Sequence, residues 1–277
     1  LAKNNIKTIR FESFKNLKSL KELDLSDNLL GNQSLKVNKP EDCVIKTLVK
    51  LNLSNNQIIN FELEKLYVSY ESLLELDLSQ NRIKELTENF FKSFPNLVRL
   101  NLKQNQIKLI NEKTFISVPN LKELFLGGNL FKNEAISTLV CFLNLEKLDI
   151  SENRDFSHIA GIEEQFTTLV ELDLSKTGTS DQLFVQINSL VNLEKLNLSS
   201  NKLTMLNLHY FTQLKQLQAS NNSISEIFHQ TFANNTQLKV LNLSYNQIKK
   251  VNKTAFNIFN NLEELDLSGN GLTSDDF

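Results

Sequence analysis

Leu97-Val98-Arg99-Leu100-Asn101-Leu102-Lys103-Gln104-Asn105-Gln106-Ile107 is the stretch whose reading decides the fold. Around Leu100 and Leu102 the leucines alternate with Arg99, Asn101 and Lys103, the period of a short strand with one apolar and one polar face. The same phrase, Leu-x-x-Leu-x-Leu-x-x-Asn-x-Leu/Ile, returns with its anchoring position at Asn4, Asn28, Asn56, Asn81, Asn105, Asn129, Asn153, Thr177, Asn201, Asn222, Asn246 and Asn270. Successive anchors lie 24, 28, 25, 24, 24, 24, 24, 24, 21, 24 and 24 residues apart. One such strand cannot bury its leucines alone. A period this steady therefore predicts stacked units whose strands form a parallel sheet over one elongated core, a single cooperative array.

Each position of the unit has a physical task. After its strand the chain must turn out of the sheet and return around the back, which leaves backbone amides and carbonyls inside a narrow coil. An Asn side chain carries two donors and an acceptor, so a column of them can satisfy that turning backbone unit after unit. Thr177 can do less, because its hydroxyl is shorter and has one donor. Ten residues after the anchor comes a bulky apolar residue: Phe14, Leu66, Phe91, Phe115, Leu139, Ile187, Phe211, Phe232 and Phe256. A second follows three later, as in Leu17, Phe94, Val118, Phe142, Phe166, Leu190 and Phe259. At this fixed phase the aromatics read as the rear wall of the core rather than as a ligand channel.

The irregular spacings fall on the convex back or its edge. Between Asn201 and Asn222 three residues of the return are missing while the strand phrase survives, and four extra residues fall around Asn38 to Cys43. Length variation of this kind is tolerated away from the strands. Charge is nearly balanced, 30 basic against 32 acidic residues among 277, so composition makes no case for nucleic acid or a membrane surface. No apolar run approaches the roughly 20 residues of a membrane span. The chain opens and closes inside units and lacks polar caps, so it reads as one domain of about twelve units, truncated at both ends. Cys43 and Cys141 lie four units apart, about 19 Å at ~4.8 Å per strand, beyond the ~7 Å reach of a disulfide. Cys141, within Leu139 to Phe142, reads as a small core residue; Cys43 is exposed or pairs outside this sequence.

With its Leu-Asp-Leu-Ser and Leu-Asn-Leu-Ser strands, its 24-residue period and its Phe ten residues after the anchor, the chain resembles the typical class of animal leucine-rich repeats. In particular, it is similar to a stretch of a Toll-like receptor or chaoptin-type ectodomain. The resemblance covers essentially the whole chain. It implies an α/β solenoid of the horseshoe kind, with a parallel sheet on the concave face and irregular loops and short helical or 3-10 turns on the convex face. It also implies a non-catalytic recognition module that binds proteins or other macromolecules, extracellular and glycosylated, as in innate immunity or cell adhesion. An intracellular scaffold or adaptor in the cytoplasm is the alternative that two unpaired cysteines favour. The departures are Thr177 and the missing cysteine-rich caps.

Asn-x-Ser/Thr triplets begin at Asn32, Asn52, Asn197, Asn221, Asn234, Asn242 and Asn252. Three of them, at Asn52, Asn197 and Asn242, arise from the strand phrase itself. Asn234 and Asn252 lie off the strands and are the expected sugar acceptors.

A partner is expected on the concave face, where rigid strands present side chains with little ordering cost. Its central column reads Asp24, Asn52, Asp77, Asn101, Phe125, Asp149, Asp173, Asn197, Gln218, Asn242 and Asp266. Phe125 alone puts an aromatic ring where the other units have a polar group, and Gly127 and Gly128 beside it read as cavity-making. With Arg99, Asn101 and Lys103 on the preceding strand it forms the expected ligand-binding patch, an aromatic anchor between cations. Local drift of one unit is the competing reading. A second irregular stretch, Asp155 to Thr179, reads as a neutral, poorly packed unit or as a bulging contact site. Dimerisation is left open. No cofactor, metal or catalytic site is expected: His158, His209 and His229 fall in different units without ligand spacing, Asp149 and Asp173 are two steps of one column, and Gly127-Gly128-Asn129 lacks the Lys-Ser/Thr of a phosphate loop.

Overall fold

The computed structural model describes residues 1–14, 16–32, 35–36, 45–59, 70–130, 132, 144–154 and 166–273. Two compact units divide the chain, Leu1–Leu145 and Glu146–Phe277. In the first, the three-residue strands Glu22–Asp24, Lys50–Asn52, Glu75–Asp77, Arg99–Asn101 and Glu123–Phe125 pair in parallel, each with the next in the chain. In the second, Lys147–Asp149, Glu171–Asp173, Lys195–Asn197, Gln216–Gln218, Val240–Asn242 and Glu264–Asp266 do the same. The 21-residue step leaves this pairing intact, with Leu196 opposite Leu217. Its missing residues come from the return.

Both leucines of the strand phrase point inward: Leu100, Leu102, Leu124 and Leu126 are fully buried, as are Leu198, Leu217 and Leu243. Each such side chain contributes about 1.5–3 kcal/mol by leaving water. Phe91, Phe94, Phe115, Phe166, Phe211 and Phe232 close the rear, with Phe91 stacked on Phe115 at 5.7 Å. The rear wall thins in the outermost coils. Leu17 is 48% exposed, and Phe14, Phe256 and Phe259 are only half-buried. Leu66, Leu139, Phe142, Cys43, Cys141 and the insertion at 38–43 lie outside the described residues. The side opposite the sheet holds more order than loops alone: Glu85–Leu86 pairs with Leu109–Ile110 and Glu226–Ile227 with Lys250–Val251. A five-residue helix, Leu183–Ile187, and a 3-10 turn, Phe11–Phe14, are the helical pieces among the described residues.

The anchors join one coil to the next. Asn105 Nδ2 donates to Leu102 O and Lys103 O of its own turn and to Leu78 O of the preceding coil, while its Oδ1 accepts from Ile83 N of that coil. Asn56 and Asn81 repeat this four-bond pattern with their own neighbours. Asn222 and Asn246 do so in the second unit. Asn28, Asn129, Asn153, Asn201 and Asn270 likewise donate to the carbonyl three residues before them.

Two further features shape the turn. The residue before every anchor has positive φ, from Lys3 and Asp27 through Gln104 and Gly128 to Tyr245 and Gly269. Non-glycine residues pay about 1–2 kcal/mol for that left-handed conformation, which the anchored turn imposes. The central column of the strand also serves the turn. Asp24, Asn52, Asp77, Asn101, Asp149, Asp173, Asn197, Asn242 and Asp266 each accept a hydrogen bond through Oδ1 from the backbone N–H two residues on. This is the local turn that short polar side chains favour over a continued strand.

Candidate functional site

On the outward sheet face the residue before each inner leucine forms a column of alternating charge. In the first unit it runs Glu22, Lys50, Glu75, Arg99, Glu123, each directly opposite the next. Lys50 meets Glu75 at 3.0 Å, and Arg99 pairs with Glu123. Hydrogen bonding to Glu75, reinforced by its charge, raises the Lys50 pKa above the usual lysine range. In the second unit Glu171 lies between Lys147 and Lys195, at 3.8 and 2.8 Å, after which Gln216 and Val240 interrupt the alternation. Reading this column down the sequence would have shown the alternation.

The 24-residue step from Arg99 to Glu123 brings the expected patch together. Arg99 Cζ lies 4.5 Å from the centroid of the Phe125 ring and Lys103 Nζ 5.6 Å, both within the range in which a ring face attracts a cation. The ring itself is half-buried. Asn101 stands apart from this contact: its Nδ2 donates to Asp77 Oδ2 at 2.9 Å and its Oδ1 accepts from Lys103 N. Both ends of its amide are engaged within the sheet. Gly127 and Gly128 do not open a cavity. Gly127 is buried, and a Cβ on Gly128 would stand 2.3 Å from the Gln104 side chain, which fills the space. The glycine accommodates its neighbour at a position of φ +69°.

Beside the patch, the strands from Glu22 to Asn101 enclose a depression of about 270 Å³ lined by Glu22, Asp24, Glu75 and Asp77 with Lys50 and Arg99. Asp24 titrates below the ordinary aspartate range, first because of the Ser26 N–H and then its hydroxyl. Among the described residues neither Asp24 nor Asp77 is held in an ion pair.

The second unit carries a different concavity behind its sheet, where the return is short. About 610 Å³ lies between Met205, Leu206, Phe228, His209 and Asn234, with Met205 53% and Phe228 49% exposed. Asn234 Nδ2 donates to His209 O at 2.9 Å and lies 3.0 Å from His209 Nδ1. Asn252 differs, since its Oδ1 accepts from the N–H and hydroxyl of Thr254 in its own triplet. Of the second irregular stretch, 155–165 lie outside the described residues, as does His158. Thr177 and Thr179 are buried rather than bulging, with Thr177 N, Gly178 N and Thr179 N all donating to Asn201 Oδ1. No group of three metal-ligating side chains occurs among the described residues, and no helix there is long and apolar enough to cross a membrane.

Comparison with known proteins fits this architecture. Leucine-rich repeat family models match residues 16–37, 71–131, 192–214 and 212–272, together more than half of the chain. No curated protein matches the sequence. Among solved structures, a chain of the octameric complex of Latrophilin 3, Unc5D and FLRT2 (LRR) superposes with a TM-score of 0.74 at 22% identity, over 93% of this chain and 78% of that one. The Drosophila Toll–Spatzle complex gives 0.65 at 22%, over 90% of this chain and 38% of the matched one. The complex of TLR13 with ssRNA13 gives 0.65 at 23%, over 96% and 46%. At these identities the likeness is one of fold.

Proposed function

Because this chain belongs to the leucine-rich repeat proteins, we propose that it is a non-catalytic protein-recognition module, the ligand-binding segment of an extracellular receptor or adhesion protein of the cell-surface or innate-immune kind. Its contact surface is the outward sheet face around Phe125. One observation carries this reading: Arg99 and Lys103 lie over a half-buried aromatic ring at a position where nine of the ten other strands hold an Asp or Asn that caps its own turn, Gln218 being the exception. Phe125 has no oxygen with which to make that cap. A large ring with cations beside it has the composition of an interface anchor. The resemblance to Toll and to a complex containing FLRT2 supports a protein partner. TLR13 is found in complex with an RNA, but a net charge of −2 and a basic column paired with acids give little for a polyanion here.

The test uses the full-length protein, screened against a panel of secreted and cell-surface proteins. For the partner found, Phe125→Asp with Lys103→Ser should weaken affinity about tenfold or more while leaving the melting temperature unchanged. Unaltered affinity removes this patch from the function. The extracellular half of the proposal has its own measurement, glycopeptide mass spectrometry of protein from its native source. Asn252 should be the more fully occupied acceptor, because a sugar on Asn234 would take one of the two hydrogens that its Nδ2 offers to His209. If both are bare, the chain is not a secreted glycoprotein segment of this kind.

A further inference from the structure

Resting on the reading that this face binds protein, we infer the chemistry of the partner: a segment carrying a basic side chain that enters the depression between Asp24 and Asp77, and an acidic side chain about 10 Å away that meets Arg99 and Lys103 beside Phe125. The charges along this sheet face call for that complement.

The face of the Leu1–Leu145 unit has two poles. At the Glu22 to Asp77 end, four carboxylates line the depression against Lys50 and Arg99. Lys50 is held by Glu75 and Arg99 by Glu123, so among the described residues Asp24 and Asp77 make no ion pair, and Asp77 Oδ2 accepts only the Asn101 amide. Their carboxylates are fixed rather than mobile, each with Oδ1 held by the backbone N–H two residues on. A preorganised anion of this kind binds a cation without an ordering cost. At the other end the column of Ser26, Ser54 and Ser79 gives way to Lys103, beside the ring and the guanidinium. A guanidinium has five N–H donors, so Arg99 can accept a partner carboxylate while keeping Glu123.

The two poles share a wall, since Arg99 and Asn101 also line the depression. From the Lys50 strand to the Arg99 strand is two strand spacings, about 10 Å. Three residues of a polyproline II segment span about 9 Å and bring residues i and i+3 back to the same side. A basic and an acidic residue three apart in such a segment therefore reach both poles. Partners charged with one sign only would meet repulsion at one of them.

The surface can be probed with three synthetic peptides, Ac-Lys-Ala-Ala-Glu-NH2, Ac-Lys-Ala-Ala-Lys-NH2 and Ac-Glu-Ala-Ala-Glu-NH2, titrated into the 15N-labelled 277-residue chain and followed by amide NMR shifts. The bipolar peptide should bind about fivefold more tightly than either other peptide at low salt, with the advantage shrinking as ionic strength rises. Its shifts should fall on strands 22–24 and 75–77 and on residues 99–103. Asp24→Asn with Asp77→Asn should abolish that preference. Both changes are compatible with the fold, because Asn52 and Asn101 hold the same column position and make the same cap. Equal binding of the three peptides, a preference for the acidic one, or a bipolar preference untouched in the double variant overturns the inference. Failure here leaves the recognition reading standing, since that is decided by partner affinity in the Phe125→Asp, Lys103→Ser variant.

Discussion

The coil anchored by Asn105 and the one anchored by Thr177 solve the same turn with different chemistry. Asn105 ties its own turn and the coil before it with four hydrogen bonds. Thr177 Oγ1 reaches Leu174 O at 2.7 Å and Asn201 Oδ1 at 3.2 Å, and makes no link to the preceding coil among the described residues. The following coil holds this one more tightly than usual: Asn201 Oδ1 takes the Thr179 N–H, as a regular anchor would, and the N–H groups of Thr177 and Gly178 as well, helped by Gly178 at φ +81°. The coil with the weaker anchor is thus tied more closely to the one after it. The Asn column is a device that can be bypassed once, provided the backbone can turn its amides the other way.

That contrast can be broken by measurement. Asn105→Ala removes the partners of Leu102 O, Leu78 O and Ile83 N, and should cost at least about 3 kcal/mol in urea denaturation, given roughly 1–3 kcal/mol for each buried polar group left unsatisfied. Thr177→Ala, which deletes one donor to Leu174 O while leaving the Asn201 convergence in place, should cost only about 1 kcal/mol. Equal losses would mean that the two anchors are equivalent and that the convergence on Asn201 does not stabilise its coil. The smallest effect concerns the caps just ahead of the anchors. Asp24 and Asp266 both titrate below the ordinary range, but for Asp24 the leading cause is the Ser26 N–H and for Asp266 the Ser268 hydroxyl. A carboxyl lowered by folding stabilises the fold above its unfolded pKa, and that contribution disappears as pH falls through the folded value. Ser268→Ala should therefore raise the NMR titration midpoint of Asp266 more than Ser26→Ala raises that of Asp24; equal rises would show the backbone N–H to govern both.

Much of this was legible in the sequence for one reason: a fixed period converts residue number into spatial neighbourhood. It put Leu100 and Leu124 on one inner row, Phe91 on Phe115, and Arg99 beside the strand bearing Phe125. Side-chain direction was not legible. Gly128 looked like a gap because nothing in the spacing says that Gln104 lies across it. Asn101 looked like a free contact residue, though its amide is engaged with Asp77 and Lys103 N. The turn conformation could have been suspected from Asp27, Asn55, Asn221, Gly128 and Gly269 standing before their anchors, all residue types at ease with positive φ. Gln80, Lys176 and Tyr245 at the same position hid the pattern.

The alternating column Glu22, Lys50, Glu75, Arg99, Glu123 gives the array a parity. Opposite charges across neighbouring strands stabilise a sheet by about 0.2–1 kcal/mol per pair, and like charges do the reverse. Loss of the single coil bearing Glu75 would set Lys50 against Arg99, whereas loss of that coil together with the next would set Lys50 against Glu123. In this part of the chain, copy number is constrained to change by twos.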